Sequence, residues 1–239
     1  MPKMNSNLAR ILKPYVIDYL GFADLTNYQS ELAEYGRDIV KGYQSGISIG
    51  LAIPHSIVDF LPQRADPNIA CEYQVQGYEV LNNRLNIIAS IVSSYLNQAG
   101  YRTLPIPAAD RTDKANGVPT VSHKMVAHIA GLGWIGKNCL LITPTRGPRL
   151  RLVSILTNAP LDTVDNQIGQ RCGDCRECAQ ACPAGAIKGR NYVSGESRDV
   201  RLDFFKCQQY IEDARKSTGY AVCGMCLYAC PYGKQRLKT

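Results

Sequence analysis

A chain of 239 residues, 45% apolar and 20% charged, can bury one large core or two modest ones, and its balance excludes a disordered or low-complexity protein. The formal charge is +7, yet no Lys/Arg block resembles a nucleic-acid-binding arm. No run of about 18 apolar residues is present, so no membrane span is expected. Residues 1–6 are polar and the apolar positions after them are broken by Arg10, Lys13 and Pro14. The expectation is a chain without a signal peptide, soluble and cytoplasmic.

Apolar spacing predicts helices over residues 7–20 and 25–43, the second with Leu32, Tyr35, Ile39 and Tyr43 along one stripe. Residues 46–53 are short, β-branched and closed by Pro54, which predicts a strand. A long helix is expected over residues 78–98, with Leu81, Leu85, Ile88, Ile91, Val92 and Tyr95 on one side and Gly100 as its stop. Residues 101–106 read as a strand and residues 110–119 as a polar loop. Another helix is expected over residues 122–130 with Ser122 as its N-cap. Residues 139–143 and 150–157 read as two strands joined by a turn at residues 144–148. Alternating helices and strands predict an α/β (α+β) domain over residues 1–161, followed by a different module over residues 162–239.

That second module is set by cysteine. Eight of the ten cysteines lie between Cys172 and Cys230, and only Cys71 and Cys139 come earlier. Clustered cysteines without a secretion signal point to metal rather than to a disulfide framework. The first run is Cys172-x2-Cys175-x2-Cys178-x3-Cys182-Pro183, the spacing of bacterial two-cluster ferredoxins. The second is Cys223-x2-Cys226-x3-Cys230-Pro231, with Cys207 upstream. Three closely spaced thiolates reach three corners of one cubane, and the fourth cysteine of a run is carried on to the other cluster. One [4Fe–4S] set is therefore expected from Cys172, Cys175, Cys178 and Cys230, the other from Cys182, Cys207, Cys223 and Cys226. The alternative is zinc, for which paired Cys-x2-Cys units suffice; a third cysteine at the same spacing followed by Cys-Pro is not what zinc needs. Eight thiolates on two cores of charge about +2 each would bring the net charge down to roughly +3.

Gly131-Leu132-Gly133-Trp134-Ile135-Gly136-Lys137 contains G-x-G-x-x-G, but a helix is expected before it and no acidic residue follows at the distance a dinucleotide site needs. The plain alternative is a glycine-rich turn between helix and strand. The stretch AGLGWIGKNCLLITPTRGPRLRLVSILTNAPL, residues 130–161, resembles the signature of epoxyqueuosine reductases. The isolated Cys207, Cys182-Pro183-Ala184-Gly185-Ala186-Ile187 and the closing Cys230-Pro231 resemble the same family. The resemblance is strong over residues 122–233 and traceable through the strand at 46–53 and the long helix.

The resemblance implies a nitroreductase-like core that holds a base-off cobalamin, followed by a ferredoxin-like double [4Fe–4S] module. It places Gly131, Leu132, Gly133, Trp134, Ile135, Gly136, Lys137 and Cys139 near the corrin. The family's Asp falls on Gly117 here, its Glu-Arg pair falls on His123-Lys124, and its Arg-Asp-Tyr-His stretch meets residues 74–79 without Asp or His. His123, Tyr78 and Asp110 are the candidate catalytic groups that replace them; His55, His128 and Tyr73 are weaker ones, read first as packing residues. The expected function is an iron–sulfur reductase passing electrons from ferredoxin or flavodoxin through two clusters to cobalamin, for reduction of a small organic substrate. The alternatives are an electron carrier or corrinoid-protein reactivator, a tRNA-modifying reductase with rewired acids, and a flavin in place of cobalamin. Relatives of the nitroreductase fold often dimerise, which implies a homodimer by analogy.

Overall fold

The computed structural model describes residues 4–109, 113, 115–163 and 167–234. In chain order it contains α1 (Met4–Leu12), β1 (Tyr19–Asp24), α2 (Gln29–Gly36), β2 (Ser45–Ala52), α3 (His55–Asp59), α4 (Pro67–Gln74), α5 (Leu81–Gln98), β3 (Thr103–Ile106), α6 (His123–Ile129), β4 (Trp134–Ile135), β5 (Leu141–Ile142), β6 (Leu150–Thr157), α7 (Glu177–Gln180), α8 (Phe204–Thr218) and α9 (Met225–Tyr228). It is a mixed helix-and-sheet fold, as expected. The chain forms two compact units: Met1–Leu51, Asn82–Gly133 and Arg151–Ile168 in one, and Ala52–Leu81, Trp134–Leu150 and Gly169–Thr239 in the other.

The first unit is built on a four-stranded sheet in the order β1-β2-β6-β3. β1 runs antiparallel to β2, with Tyr19 opposite Gly50, and β3 antiparallel to β6, with Ile106 opposite Ser154. β2 and β6 are central, and both are buried along most of their length. That is why they read as near-continuous apolar runs rather than alternating ones. α5 buries Leu85, Ile88, Ala89, Val92 and Leu96, a stripe at helical spacing. Gly100, at φ +87°, follows its end. α6 starts on Ser122, whose hydroxyl accepts from the Met125 amide at 3.4 Å.

Two expected helices are shorter than the spacing predicted. The helix expected to reach residue 20 stops at Leu12: Pro14 lacks an amide hydrogen, a 3-10 turn covers Lys13–Tyr15, and Val16 takes a left-handed φ of +47°. Tyr19 and Leu20 open β1 instead. The helix expected over residues 25–43 shrinks to α2 between two 3-10 turns, and Arg37 at φ +51° marks the break. β5 pairs with β4, Trp134 opposite Ile142, rather than with β6.

The second unit joins the cysteine-rich segment to two earlier pieces of chain, so the division expected at residue 161 is not where these units divide. The physical reason is the shortage of apolar side chains beyond residue 169. Among the described residues there, only Ala186, Ile187, Phe204, Val222, Ala229 and Cys230 are buried as hydrophobic core. The earlier pieces add more, Ile53, Val58, Leu61, Trp134 and Ile142 among them. Among the described residues no helix is long and apolar enough to cross a membrane.

Leu85 is fully buried in the first unit. Leu85→Ala should lower stability by about 2–5 kcal/mol, read from urea unfolding followed by far-ultraviolet circular dichroism. A midpoint equal to that of the parent chain would contradict this account of α5.

Candidate metal centre

The two cysteine runs fold as two versions of one loop. In Cys172-Gly173-Asp174-Cys175 the Cys175 amide donates to the Cys172 carbonyl at 2.9 Å, and Gly173 sits at φ +45°. In Cys223-Gly224-Met225-Cys226 the glycine has φ +68°. Left-handed backbone right after the first cysteine is what a glycine there allows. A side chain on Gly224 would also run into Leu61 and the Tyr73 hydroxyl. α7, which carries Cys178, packs against α9, which carries Cys226.

The thiols are gathered in two sets. Cys172, Cys175, Cys178 and Cys230 line one cavity together with Lys137, Asn138, Ile142, Pro231 and Tyr232. Burial pushes the Cys178 thiol up to about 11, with Cys172, Cys230 and Cys175 adding to it. Burial does the same at Cys230, again to about 11, with further contributions from Cys172 and Cys175. In the other set, burial drives the Cys226 thiol well above its ordinary value, reinforced first by Cys223 and Cys207 and then by Cys178 and Cys182. Cys223 is also pushed up by burial, with Cys182 adding to it and Arg64 opposing it. The Cys182 sulfur accepts from the Ala186 amide at 3.3 Å. Thus Cys230 keeps company with the first run and Cys182 with Cys223 and Cys226. Thiols held against deprotonation by burial and by each other would give up their protons only to strong positive charge such as a metal supplies.

The glycine-rich stretch is divided between the two units. Gly131, at φ +73°, ends α6: its amide donates to the His128 carbonyl, and the Leu132 amide reaches back to the Ala127 carbonyl at 3.0 Å. His128 Nδ1 donates to the Gly133 carbonyl at 2.8 Å and so ties down the turn. From Trp134 onward the stretch becomes the β4–β5 hairpin of the second unit, and its side chains grip the cysteine loops. Trp134, fully buried, donates its Nε1 hydrogen to Cys172 Sγ at 3.5 Å and meets Tyr232 edge to face at 4.7 Å. Lys137 Nζ donates to the carbonyls of Gly173 at 2.7 Å and Cys175 at 3.0 Å. Asn138 Nδ2 donates to the Cys226 carbonyl at 3.2 Å. Gln170 returns the contact by donating to the Ile135 carbonyl at 2.6 Å. Cys139, buried and at φ +59°, accepts from Arg201 Nη1 at 3.6 Å.

The candidate catalytic residues are distributed over the two units. His123 lies in the first unit with both ring nitrogens engaged, Nδ1 to Ser154 Oγ and Nε2 to the Pro107 carbonyl, each at 3.0 Å. Since a carbonyl only accepts, Nε2 carries a proton. Tyr78 lies in the second unit, half-buried in a π-helical turn, Val75–Val80, that joins α4 to α5. Asp110 lies outside the described residues.

Sequence reasoning missed Arg149, whose only signal was a charge one residue ahead of an apolar strand. It is 1% exposed, and its Nη1 donates to Asp59 Oδ1 at 2.7 Å and to His55 Nδ1 at 3.1 Å. A side chain at Gly233 would strike its Nε. Because arginine only donates, His55 holds its proton on Nε2. Burial, then the charges of Arg149 and Arg146, hold the His55 pKa below 6.5, with Asp59 opposing them. Below pH 6.5 the unfolded chain therefore binds more protons at this residue than the folded one, so stability falls as pH falls. Replacing His55→Gln should flatten the loss of stability between neutral pH and about pH 5, measured as the difference between variant and parent in urea midpoints. An unchanged slope would remove His55 from the account.

Residues 171–233 match the family of the 4Fe–4S double cluster binding domain. An epoxyqueuosine reductase of Listeria monocytogenes is 28% identical over 207 residues, 84% of this chain and 51% of that protein. The tetrachloroethene reductive dehalogenase of Sulfurospirillum multivorans is 34% identical over 184 residues, 72% of this chain and 33% of that protein. Among solved structures, a reductive dehalogenase described in terms of B12-dependent dehalogenation superposes with a TM-score of 0.71 at 19% identity, over 98% of this chain and 33% of that one. The likeness at that identity is one of fold. The chain spans about half the length of the epoxyqueuosine reductases it matches, 51% and 55% for two of them. In sequence it is similar to epoxyqueuosine reductases and to a reductive dehalogenase, in fold it is like a reductive dehalogenase, and its residues 171–233 match the 4Fe–4S double cluster binding domain.

Proposed function

We propose that this chain is an iron–sulfur reductase that moves electrons through two [4Fe–4S] clusters to a bound cobalamin, for reduction of an organic substrate. The observation that carries the reading is the lining of one cavity by Cys172, Cys175, Cys178 and Cys230, with Cys223, Cys207 and Cys182 beside Cys226. Cys172, Cys175, Cys178 and Cys230 hold one cluster; Cys182, Cys207, Cys223 and Cys226 hold the other. The donor set fits such clusters, being thiols only, in fours, on Cys-x2-Cys loops. A low-potential donor such as ferredoxin or flavodoxin supplies one electron at a time. Cobalamin, when bound, supplies a low-valent cobalt able to reduce or attack the substrate.

The protein's part is binding, orientation and the tuning of potential. Of the residues expected around cobalamin, those from Trp134 to Cys139 are committed within the second unit. Gly131, Leu132 and Gly133 in the first unit are the ones left for that role. A second reading, an electron carrier or corrinoid-protein reactivator without substrate turnover, is favoured by one observation: both nitrogens of His123 are already hydrogen-bonded.

Anaerobic reconstitution with iron and sulfide should give about eight irons per chain. The double variant Cys182→Ala with Cys207→Ala should keep about four, because both residues serve one cluster. Cys178→Ala with Cys207→Ala should keep almost none. Almost no iron in both double variants would mean that each run serves its own cluster, and stoichiometric zinc would end the iron–sulfur reading.

Reconstituted protein mixed with hydroxocobalamin should retain it through desalting with a base-off spectrum. Full iron with no retained cobalamin would leave the electron carrier. Salt-dependent retention on immobilised tRNA would instead favour a tRNA substrate.

A further inference from the structure

Two cations in the second unit stand against the two thiol sets, and neither has a role in the reading above. Lys137 is 5% exposed and lines the cavity shared by Cys172, Cys175, Cys178 and Cys230. Its ammonium donates to the carbonyls of Gly173 and Cys175, inside the loop that carries two of those cysteines. Among the described residues no carboxylate lies within ion-pair distance of it. Carbonyl dipoles alone compensate a buried charge poorly. Arg64 plays the matching part at the other set. Its Nη2 donates to the Tyr210 hydroxyl at 2.6 Å and its Nη1 to the Leu61 carbonyl at 3.3 Å, while its Nε is buried with no partner. Leu61, whose carbonyl it holds, is the residue that a side chain on Gly224 in the Cys223–Cys226 loop would strike, so Arg64 stands beside that loop, and its charge opposes the effect of burial on Cys223.

A [4Fe–4S] core with four thiolates carries a charge of about −2 when oxidised and about −3 when reduced. That is the counter-charge both cations lack, and it grows on reduction. We propose that Lys137 and Arg64 are separate counter-ions for the two clusters, Lys137 for the one on Cys172, Cys175, Cys178 and Cys230, and Arg64 for the one on Cys182, Cys207, Cys223 and Cys226. Each stabilises the reduced form of its own cluster more than the oxidised form, and so raises that potential and not the other. The Trp134 hydrogen bond to Cys172 Sγ acts in the same direction on the first cluster. This rests on the two-cluster reading and adds to it a setting of each relay step by a single residue.

The test is a mediated redox titration of the full, reconstituted chain, followed by electron paramagnetic resonance so that both midpoint potentials are read. Lys137→Gln should move one midpoint to a more negative value and leave the other in place. Arg64→Gln should do the opposite, Trp134→Phe should follow K137Q, and Lys137→Arg should stay near the parent value. A K137Q chain that loads about half the iron while K137R loads all of it supports the same assignment, because charge is then what the cluster requires. Equal loss of iron in both, or full iron with neither midpoint moved or both moved together, overturns it. A parent chain that takes up no iron fails at the cluster reading itself, which the iron count shows before any titration.

Discussion

Gathering four thiolates around one inorganic core concentrates negative charge in a small volume, and the second unit is organised around making that tolerable. In the metal-free chain the same sulfurs oppose their own ionisation. Burial and neighbouring thiols hold Cys178 and Cys230 up to about 11. Binding a cluster must release those protons, so assembly of the centre and completion of the fold are linked events. This is the balance found in small metal domains: a segment with few buried apolar residues becomes a stable part of the chain when its ligands are filled.

The β4–β5 hairpin is the means by which a distant part of the sequence takes part in that balance. It contributes an indole hydrogen to Cys172, an ammonium to the Cys172–Cys175 loop and an amide to Cys226. None of these side chains is a ligand, yet each fixes a ligand-bearing backbone or sulfur, and hydrogen bonds of this kind tune a metal site as well as orient it. Arg149 has a related task at the end of the chain. It fills the space that a side chain on Gly233 would need, and it is anchored by Asp59 and His55.

The cysteine spacing was the most legible part of the sequence, because ligand chemistry fixes the number and the local separation of the donors. The strand at residues 45–52, the long helix with its Leu85 stripe and the Ser122 cap were legible too, since each has a local cause in periodicity or capping. The helix expected through residue 20 was not, because its apolar residues carry a helical pattern across Pro14 that pairing with β2 overrides. Trp134, Lys137 and Asn138 stood out in the sequence only as a glycine-rich stretch near a cofactor. Their commitment to the cysteine loops depends on contacts 36 to 88 residues away in sequence, which no local pattern encodes. Arg149 and Arg64 belong to the same class: single charges whose partners are set by tertiary structure.

Trp134 is the one tryptophan in the chain, and its ring nitrogen touches the sulfur of Cys172. An iron–sulfur core at that sulfur would drain the excited state of the indole. The intrinsic tryptophan emission of this protein is thus a built-in optical gauge of cluster assembly. It would fall as the chain is loaded, and is readable through the wall of an anaerobic cuvette while the centre is assembled.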